Sequence, residues 1–230
     1  MKIASPEWQQ LLADAAAKIA VHTDPEKTAA FAVHAAELLK WNKKVNLTAI
    51  KDPAEVAIKH FADSLAPAPM IPPGTSLLDI GSGGGFPGIP LKVLMPSVSV
   101  TLIDASRKKV SFQQHVIRCL GLGDIRARHI RAEDLARSSE GANAFDVIVC
   151  RALSSLDKFA EMALPLLAEG GVMLALKGRI FEAETEAIHA VPGMSQNGED
   201  RFSLEVRKYR LPLLGSERAI VRIQPHFSNI

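Results

Sequence analysis

An α/β fold, with a seven-stranded, mostly parallel sheet, an antiparallel C-terminal hairpin and an N-terminal helical extension, follows from three features of the chain. Short apolar runs alternate with helical patterns from residue 76 onward, the spacing of parallel strands joined by crossover helices. One run, Leu77-Leu78-Asp79-Ile80, passes directly into Gly81-Ser82-Gly83-Gly84-Gly85-Phe86-Pro87-Gly88, and in such sheets ligands bind where a strand gives way to its loop. Two late runs, Phe202 to Leu211 and Arg218 to Gln224, are separated by a short Pro/Gly turn and suit an antiparallel pair.

The extension comes first. From Glu7 to about Leu39 apolar residues recur at helical spacing, among them Leu11, Leu12, Ala15 and Ile19, then Phe31, Ala35, Leu38 and Leu39. Thr23-Asp24-Pro25-Glu26 divides this region into two helices, with Thr23 or Asp24 as N-cap and Pro25 in the first turn. A third helix is expected from near Asp52-Pro53 to about Leu65. Pro67 to Gly74, with four prolines, then ends helical structure and sets a boundary near residue 70 between the extension (1–70) and the ligand-binding domain (71–230). Beyond it the strands are expected at Ser76 to Ile80, Val98 to Asp104, Ile125 to Ile130, Phe145 to Cys150 and Gly171 to Lys177. Helices fit between them at about 87–95, 106–120, 154–168 and 180–190.

Composition narrows the setting. With 230 residues, 47% of them hydrophobic, the chain can fill one large core. Apolar runs such as Phe145 to Cys150 fall far below the roughly 20 residues that span a bilayer, so no membrane partner is expected. The start Met1-Lys2-Ile3-Ala4-Ser5-Pro6 has no apolar signal core, and Cys119 and Cys150 lack metal or redox spacing and read as reduced core thiols. A cytoplasmic protein fits. The net charge of +2 conceals basic windows at 40–51, 104–131 and 201–222. Each is either a solvated face or, if the windows converge on the ligand loop, a track for a phosphate backbone.

The glycine segment departs from the dinucleotide pattern G-x-G-x-x-G, because Phe86 stands where the third glycine belongs. Gly81 and Gly83 let a ligand lie against the main chain. Asp79, just before them, would repel a pyrophosphate and attract a cation, which points away from NAD and toward the sulfonium of S-adenosyl-L-methionine. Residues at the other strand ends gain weight from the same geometry. Asp104 ends the second strand, where an acid bonds ribose hydroxyls or caps a helix. Ala132-Glu133 follows the third, near an adenine amino group or as the start of a short helix. Arg151 follows the fourth, where its fork of donors suits a phosphate or guanine O6 and N7, or a neighbouring acid. Lys177 ends the fifth.

Several blocks together carry a resemblance. Asp79 to Leu91, Trp41-Asn42-Lys43-Lys44-Val45-Asn46-Leu47-Thr48, His60-Phe61-Ala62-Asp63-Ser64, Cys150-Arg151-Ala152 and Leu176-Lys177-Gly178 are spread over most of the chain. They resemble the motifs of the RsmG (GidB) family of small-subunit ribosomal RNA guanine-N7 methyltransferases, with Cys150 in place of the usual serine. The resemblance implies a Rossmann-like class I methyltransferase that uses S-adenosyl-L-methionine to methylate N7 of a guanosine in the decoding-centre loop of 16S ribosomal RNA; the partner expected is that RNA or a small-subunit particle, and the chain is expected to be a monomer. It puts Gly81, Phe86, Ala132, Glu133 and Arg151 on cofactor-holding positions. Asn46, His60, Asp63, Arg151 and Lys177 fall in motifs that shape the catalytic, RNA-facing side.

The chemistry agrees with that reading. Guanine N7 carries an exposed lone pair and no proton, so no general base is needed and positioning can supply much of the rate. Arg151-Ala152-Leu153-Ser154 stands where amine methyltransferases often carry an N-P-P-Y-like tetrad. At 5% aromatic content a broad base-stacking platform is disfavoured. Arg107, Lys108, Lys109 and Arg218 are therefore expected to bind phosphates. A small-molecule methyltransferase would share the glycine loop and Asp104 without the Trp41 and His60 blocks. A non-catalytic RNA-binding module would have no use for the cofactor motifs.

Overall fold

The structure, a computed structural model, describes every residue except 153–154, 179, 181, 197–198 and 227–230; Leu153 and Ser154 of the segment after the fourth strand thus lie outside the described residues. The first three helices begin alike. α1 (Pro6–Lys18), α2 (Pro25–Val45) and α3 (Pro53–Glu55) each follow a capping residue and open on proline, whose missing N–H costs nothing in a first turn. Ser5 Oγ accepts from the Trp8 amide (3.3 Å), Asp24 Oδ1 from Lys27 (2.8 Å) and Asp52 Oδ1 from Glu55 (2.9 Å). Asp24, rather than Thr23, is thus the cap of α2. α3 continues without a break through a π-helical stretch (Val56–Ala62) into α4 (Asp63–Leu65), and a single 3-10 turn (Ala68–Met70) interrupts the proline-rich segment.

Strands and helices then alternate as β1 (Ser76–Ile80), α5 (Gly88–Leu94), β2 (Ser99–Asp104), α6 (Arg107–Cys119), β3 (Ile125–His129), α7 (Ala132–Ala136), β4 (Phe145–Arg151), α8 (Leu156–Ala163), β5 (Leu167–Lys177) and α9 (Glu182–Glu186). A two-stranded ribbon, β6 (Ser195–Gln196) with β7 (Glu199–Asp200), precedes the hairpin of β8 (Phe202–Arg210) and β9 (Glu217–Pro225). The main sheet has seven strands in the order β3-β2-β1-β4-β5-β9-β8. Neighbours from β3 to β5 are parallel, and β9 runs antiparallel to both β5 and β8. The expected sheet is present. Among the described residues no helix is long and apolar enough to cross a membrane.

The central strands are buried on both faces, as a sheet covered by helices on each side requires. Leu77 faces a cluster that takes in Trp8, Leu12, Phe31, Leu38 and Phe61 of the N-terminal helices with Phe112 of α6. Leu78 and Ile80 face a second cluster with Phe159 of α8 and Val221 of β9. The Trp8 indole N–H donates to the Pro53 carbonyl (2.8 Å) and ties α1 to α3. The helices before residue 70 are therefore packed into the same core as one face of the sheet.

Three expectations need correction. β5 starts at Leu167, four residues early: its pairing jumps from Phe145↔Leu167 to Val147↔Val172, so the residues between bulge out, with Gly170 at φ +74°. The preceding helix correspondingly stops at Ala163 and ends in a 3-10 turn (Leu164–Leu166) that contains Pro165. Cys119 is exposed, not a core thiol, because Ile117 and Leu120 carry the apolar stripe of α6 past it and leave its Sγ 3.5 Å from His115 Nε2. Cys150 is buried as expected.

Candidate active site

The glycine segment leaves β1 pinned by three elements, β2, α6 and α2. The Gly81 and Ser82 amides donate to the Ile103 carbonyl at the end of β2 (3.0 and 3.1 Å). From α6, Gln113 Nε2 donates to Ser82 Oγ (2.9 Å) and to the Gly83 carbonyl (2.8 Å). From α2, His34 Nε2 donates to the Gly84 carbonyl (2.8 Å), which fixes its tautomer. Asp104 accepts from the Gly83 amide (3.0 Å) on one oxygen and from Ser106 (2.8 Å) on the other, so it holds the loop while staying at the mouth of the sheet.

Gly81, Gly83 and Gly85 have φ of +72°, +55° and +84°. A Cβ at Gly81 would meet nothing within 4 Å, and one at Gly83 only the Gly81 carbonyl at 3.8 Å. The backbone conformation calls for glycine there, and the outer surface of the loop stands clear for a ligand. Asp79 lies beneath it. Fully buried, its Oδ2 accepts from the Gly88 amide (2.8 Å), while Oδ1 finds no partner among the described residues. Burial lifts its pKa to about 7 against the pull of that amide and of Arg151. In this structure Asp79 sets the start of α5 and does not line the open cleft.

Phe86 is buried and stacks against the imidazoles of His34 (centroids 4.7 Å, planes 9° apart) and His60 (4.9 Å, 14°), with the Arg151 guanidinium carbon 4.9 Å from its ring centre. This explains a phenylalanine at the third-glycine position: its ring is the floor on which Arg151 rests. The guanidinium donates to the Lys59 carbonyl (2.8 Å), more weakly to the His60 carbonyl (3.4 Å), and from Nη2 to His60 Nδ1 (3.3 Å). His60 Nε2 consequently carries the proton and donates to Thr48 Oγ1 (2.8 Å). Burial first, and the Arg151 charge second, push the His60 pKa down to about 3, so the ring is neutral. Burial takes His34 down to about 4.

Asp63, one turn on, collects the remaining charges. Its Oδ1 accepts from Tyr209 Oη (2.7 Å) and faces Arg218 Nε at 3.4 Å, while Oδ2 lies 3.8 Å from Arg151. Burial raises its pKa, and the two arginines and the tyrosine oppose that rise. A cleft of about 460 Å³ opens above this network, lined by His60, Asp63, Arg151, Lys177, Glu184 and Arg218 among others. Lys177 Nζ pairs with Glu184 Oε2 at 2.7 Å.

Sequence relationships match this geometry. The family profile described as GidB, rRNA small subunit methyltransferase G, matches residues 27–210. A ribosomal RNA small subunit methyltransferase G of Geotalea uraniireducens is 45% identical over 213 residues, 93% of this chain and 94% of that one. Its namesake in Geobacter sulfurreducens is 42% identical over 214 residues, 93% and 96% of the two chains. The chain belongs to the GidB family. Solved structures show the GidB chain's fold in more distant proteins. A SAM-dependent methyltransferase from Aquifex aeolicus superposes with a TM-score of 0.55 at 17% identity over 81% of this chain and 97% of that one. TYW2 of Pyrococcus horikoshii in complex with MeSAdo does so at 0.56 and 15%, over 74% and 63%.

Of the residues singled out in the GidB sequence, His60, Asp63, Arg151, Lys177 and Arg218 meet around the cleft. Gly81, Gly83, Asp104 and Asp79 gather at the loop. Ala132, buried, and Glu133, exposed, open α7 beyond the end of β3. Arg107 and Lys108 are exposed on the first turn of α6, with Lys109 Nζ 3.9 Å from Asp104. Asn46 is exposed at the left-handed cap of α2 (φ +53°), outside the cleft lining. Its block acts through other members: Asn42 clasps the Thr48 backbone in both directions (2.8 and 2.9 Å), and Thr48 holds His60. His34, Gln113 and Tyr209 were not legible as site residues. Each is distant in sequence from the group it holds, and nothing in its own helix or strand signals that partner.

Proposed function

We propose that this chain is an S-adenosyl-L-methionine-dependent methyltransferase acting at N7 of one guanosine in the decoding-centre loop of 16S ribosomal RNA, free or within a small-subunit particle. The observation that carries the proposal is the junction of two surfaces at the carboxyl ends of the strands. One is a glycine loop with a clear outer face and a carboxylate, Asp104, at its edge. The other is a cleft in which Lys59, Arg151, Lys177 and Arg218 outnumber Asp63 and Glu184.

In this reading residues 71–230 hold the cofactor and residues 1–70 form the helical extension. Gly81 and Gly83 receive the cofactor along their main chain, Asp104 offers its remaining lone pairs to the ribose, and Ala132 and Glu133 border the base. The bound cofactor supplies an electrophilic methyl group on a sulfonium. Guanine N7 has no proton to lose, so the protein has none to remove. That suits a cleft where His60 is held far from the range of a physiological base and both carboxylates are ion-paired. Arg151, fixed at its base by the Lys59 carbonyl and His60, presents a rigid positive charge beside the reacting ring. Phe86, His34 and Gln113 fix the loop, and they act by preorganisation.

The test is calorimetric titration with S-adenosyl-L-methionine, followed by transfer of labelled methyl groups to small-subunit particles from a strain lacking the gene. Cofactor binding with label recovered as 7-methylguanosine is expected. RNA binding without cofactor binding would leave a non-catalytic module, and label in another nucleoside would overturn the N7 assignment.

A further inference from the structure

The carboxyl edge of the sheet does not end at β5. Because β9 is antiparallel to β5 and β8 is antiparallel to β9, β8 runs in the same direction as the five parallel strands. Its last residues, Arg207 to Arg210, and the first residues of β9 therefore sit on the ligand-binding edge. Charge is divided along β8 accordingly. Its first half, Phe202 to Val206, carries no base and the acid Glu205, whereas Arg207, Lys208 and Arg210 crowd the end that faces the ligand side.

A recess of about 220 Å³ lies there, lined by Lys18 at the end of α1 together with Arg207, Lys208, Tyr209 and Arg210. Lys18, Arg207, Lys208 and Arg210 are all exposed. Arg210 lies 3.6 Å from Glu217, a pair open to solvent and weak on that account. The recess and the catalytic cleft share a wall. Tyr209 lines the recess, yet its hydroxyl reaches Asp63 in the cleft, and it stands directly opposite Arg218, which also lines the cleft.

We propose that Lys18, Arg207, Lys208 and Arg210 form a phosphate track for the RNA strand as it leaves the cleft, reached through Arg218 across Tyr209. The inference rests on the methyltransferase reading for its ligand and extends that site to the free edge of the sheet. A cluster of exposed cations that adjoins the cleft through Tyr209 suits a nucleic-acid backbone, whose phosphates are bound by Lys and Arg side chains. A purely protective role, charges that keep a free edge from pairing with another chain, would spread them along the strand. Here they are gathered at one end.

The test is the triple variant Lys18→Gln, Arg207→Gln, Lys208→Gln, compared with wild type in binding to a 16S ribosomal RNA transcript over a series of salt concentrations, and in kinetics on small-subunit particles. Removing each phosphate-binding cation should lower the slope of log K against log salt by about 1. KM should rise several-fold, with kcat and S-adenosyl-L-methionine binding unchanged. An unchanged slope would overturn the track, as would self-association of the variant with RNA binding intact, which would assign the charges to edge protection. Should the wild type bind RNA but transfer no methyl group, the functional reading would fall while the salt slope still decides the track.

Discussion

Asp79 and His60 both serve the glycine loop, and burial moves their protonation in opposite directions. The folded Asp79 pKa of about 7 lies above the ordinary 3.8, so the stability it contributes is full below pH 3.8 and is lost as the pH rises through about 7. His60 falls from 6.5 to about 3, so its contribution is present above pH 6.5 and is lost as the pH falls toward 3. Between about pH 4 and 6.5 the two effects oppose each other. Urea unfolding across that range should show stability climbing with pH more steeply in Asp79→Asn than in wild type, and less steeply in His60→Gln. Each difference is bounded by about 1.4 kcal/mol per pH unit. Three parallel profiles would show that neither group titrates as its burial demands. At this scale the sequence exposed the groups that end strands, Asp104, Arg151 and Lys177, because a polar residue closing an apolar run marks a strand end. It did not expose their supports. That Thr48 orients His60, or that His34 grips Gly84, depends on how α2 crosses the loop.

The loop and the π-helical stretch are the two elements that shape the site. A π-helix bonds to the fifth residue back and loosens the turn, and here the Lys59 and His60 carbonyls within it receive Arg151. Helical spacing revealed a helix over Asp52 to Leu65, but the apolar pattern alone does not tell a π turn from an α turn. Within the loop, glycines of different function should respond differently to alanine. At Gly88 a Cβ would lie 2.3 Å from Leu102 Cδ2 and 2.9 Å from Asp79 Oδ2, so Gly88→Ala should cost about 1–3 kcal/mol of stability by overpacking. At Gly81 there is space, and the cost of Gly81→Ala is the left-handed backbone, about 1–2 kcal/mol. Only Gly81→Ala places a methyl group on the loop's outer face, so it should weaken S-adenosyl-L-methionine binding beyond its effect on stability. Calorimetry alongside thermal melts would separate the two. Equal cofactor affinity in Gly81→Ala and wild type would remove the loop from the cofactor site.

On the scale of the whole molecule, sequence order and charge distribution together place the site. The strands β1, β2 and β4 were readable from short apolar-rich runs, near-continuous in β1 and β4 as a sheet covered on both faces allows. The bulge that lengthens β5 was not, because it is set by pairing with β4. The basic windows were visible as composition, yet only the topology shows that Arg218 and the end of β8 converge on the cleft while Arg107 and Lys108 flank the loop from α6. The fold thus unites an open glycine loop and a cationic cleft on one edge of one sheet, and the central claim is that a guanosine N7 in small-subunit RNA is methylated there. Borohydride and aniline treatment cleaves RNA at 7-methylguanosine, and primer extension on 16S ribosomal RNA from cells with and without the gene reads that cleavage directly. A stop in the decoding-centre loop that disappears with the gene is the predicted result; the same stop in both strains would contradict the account.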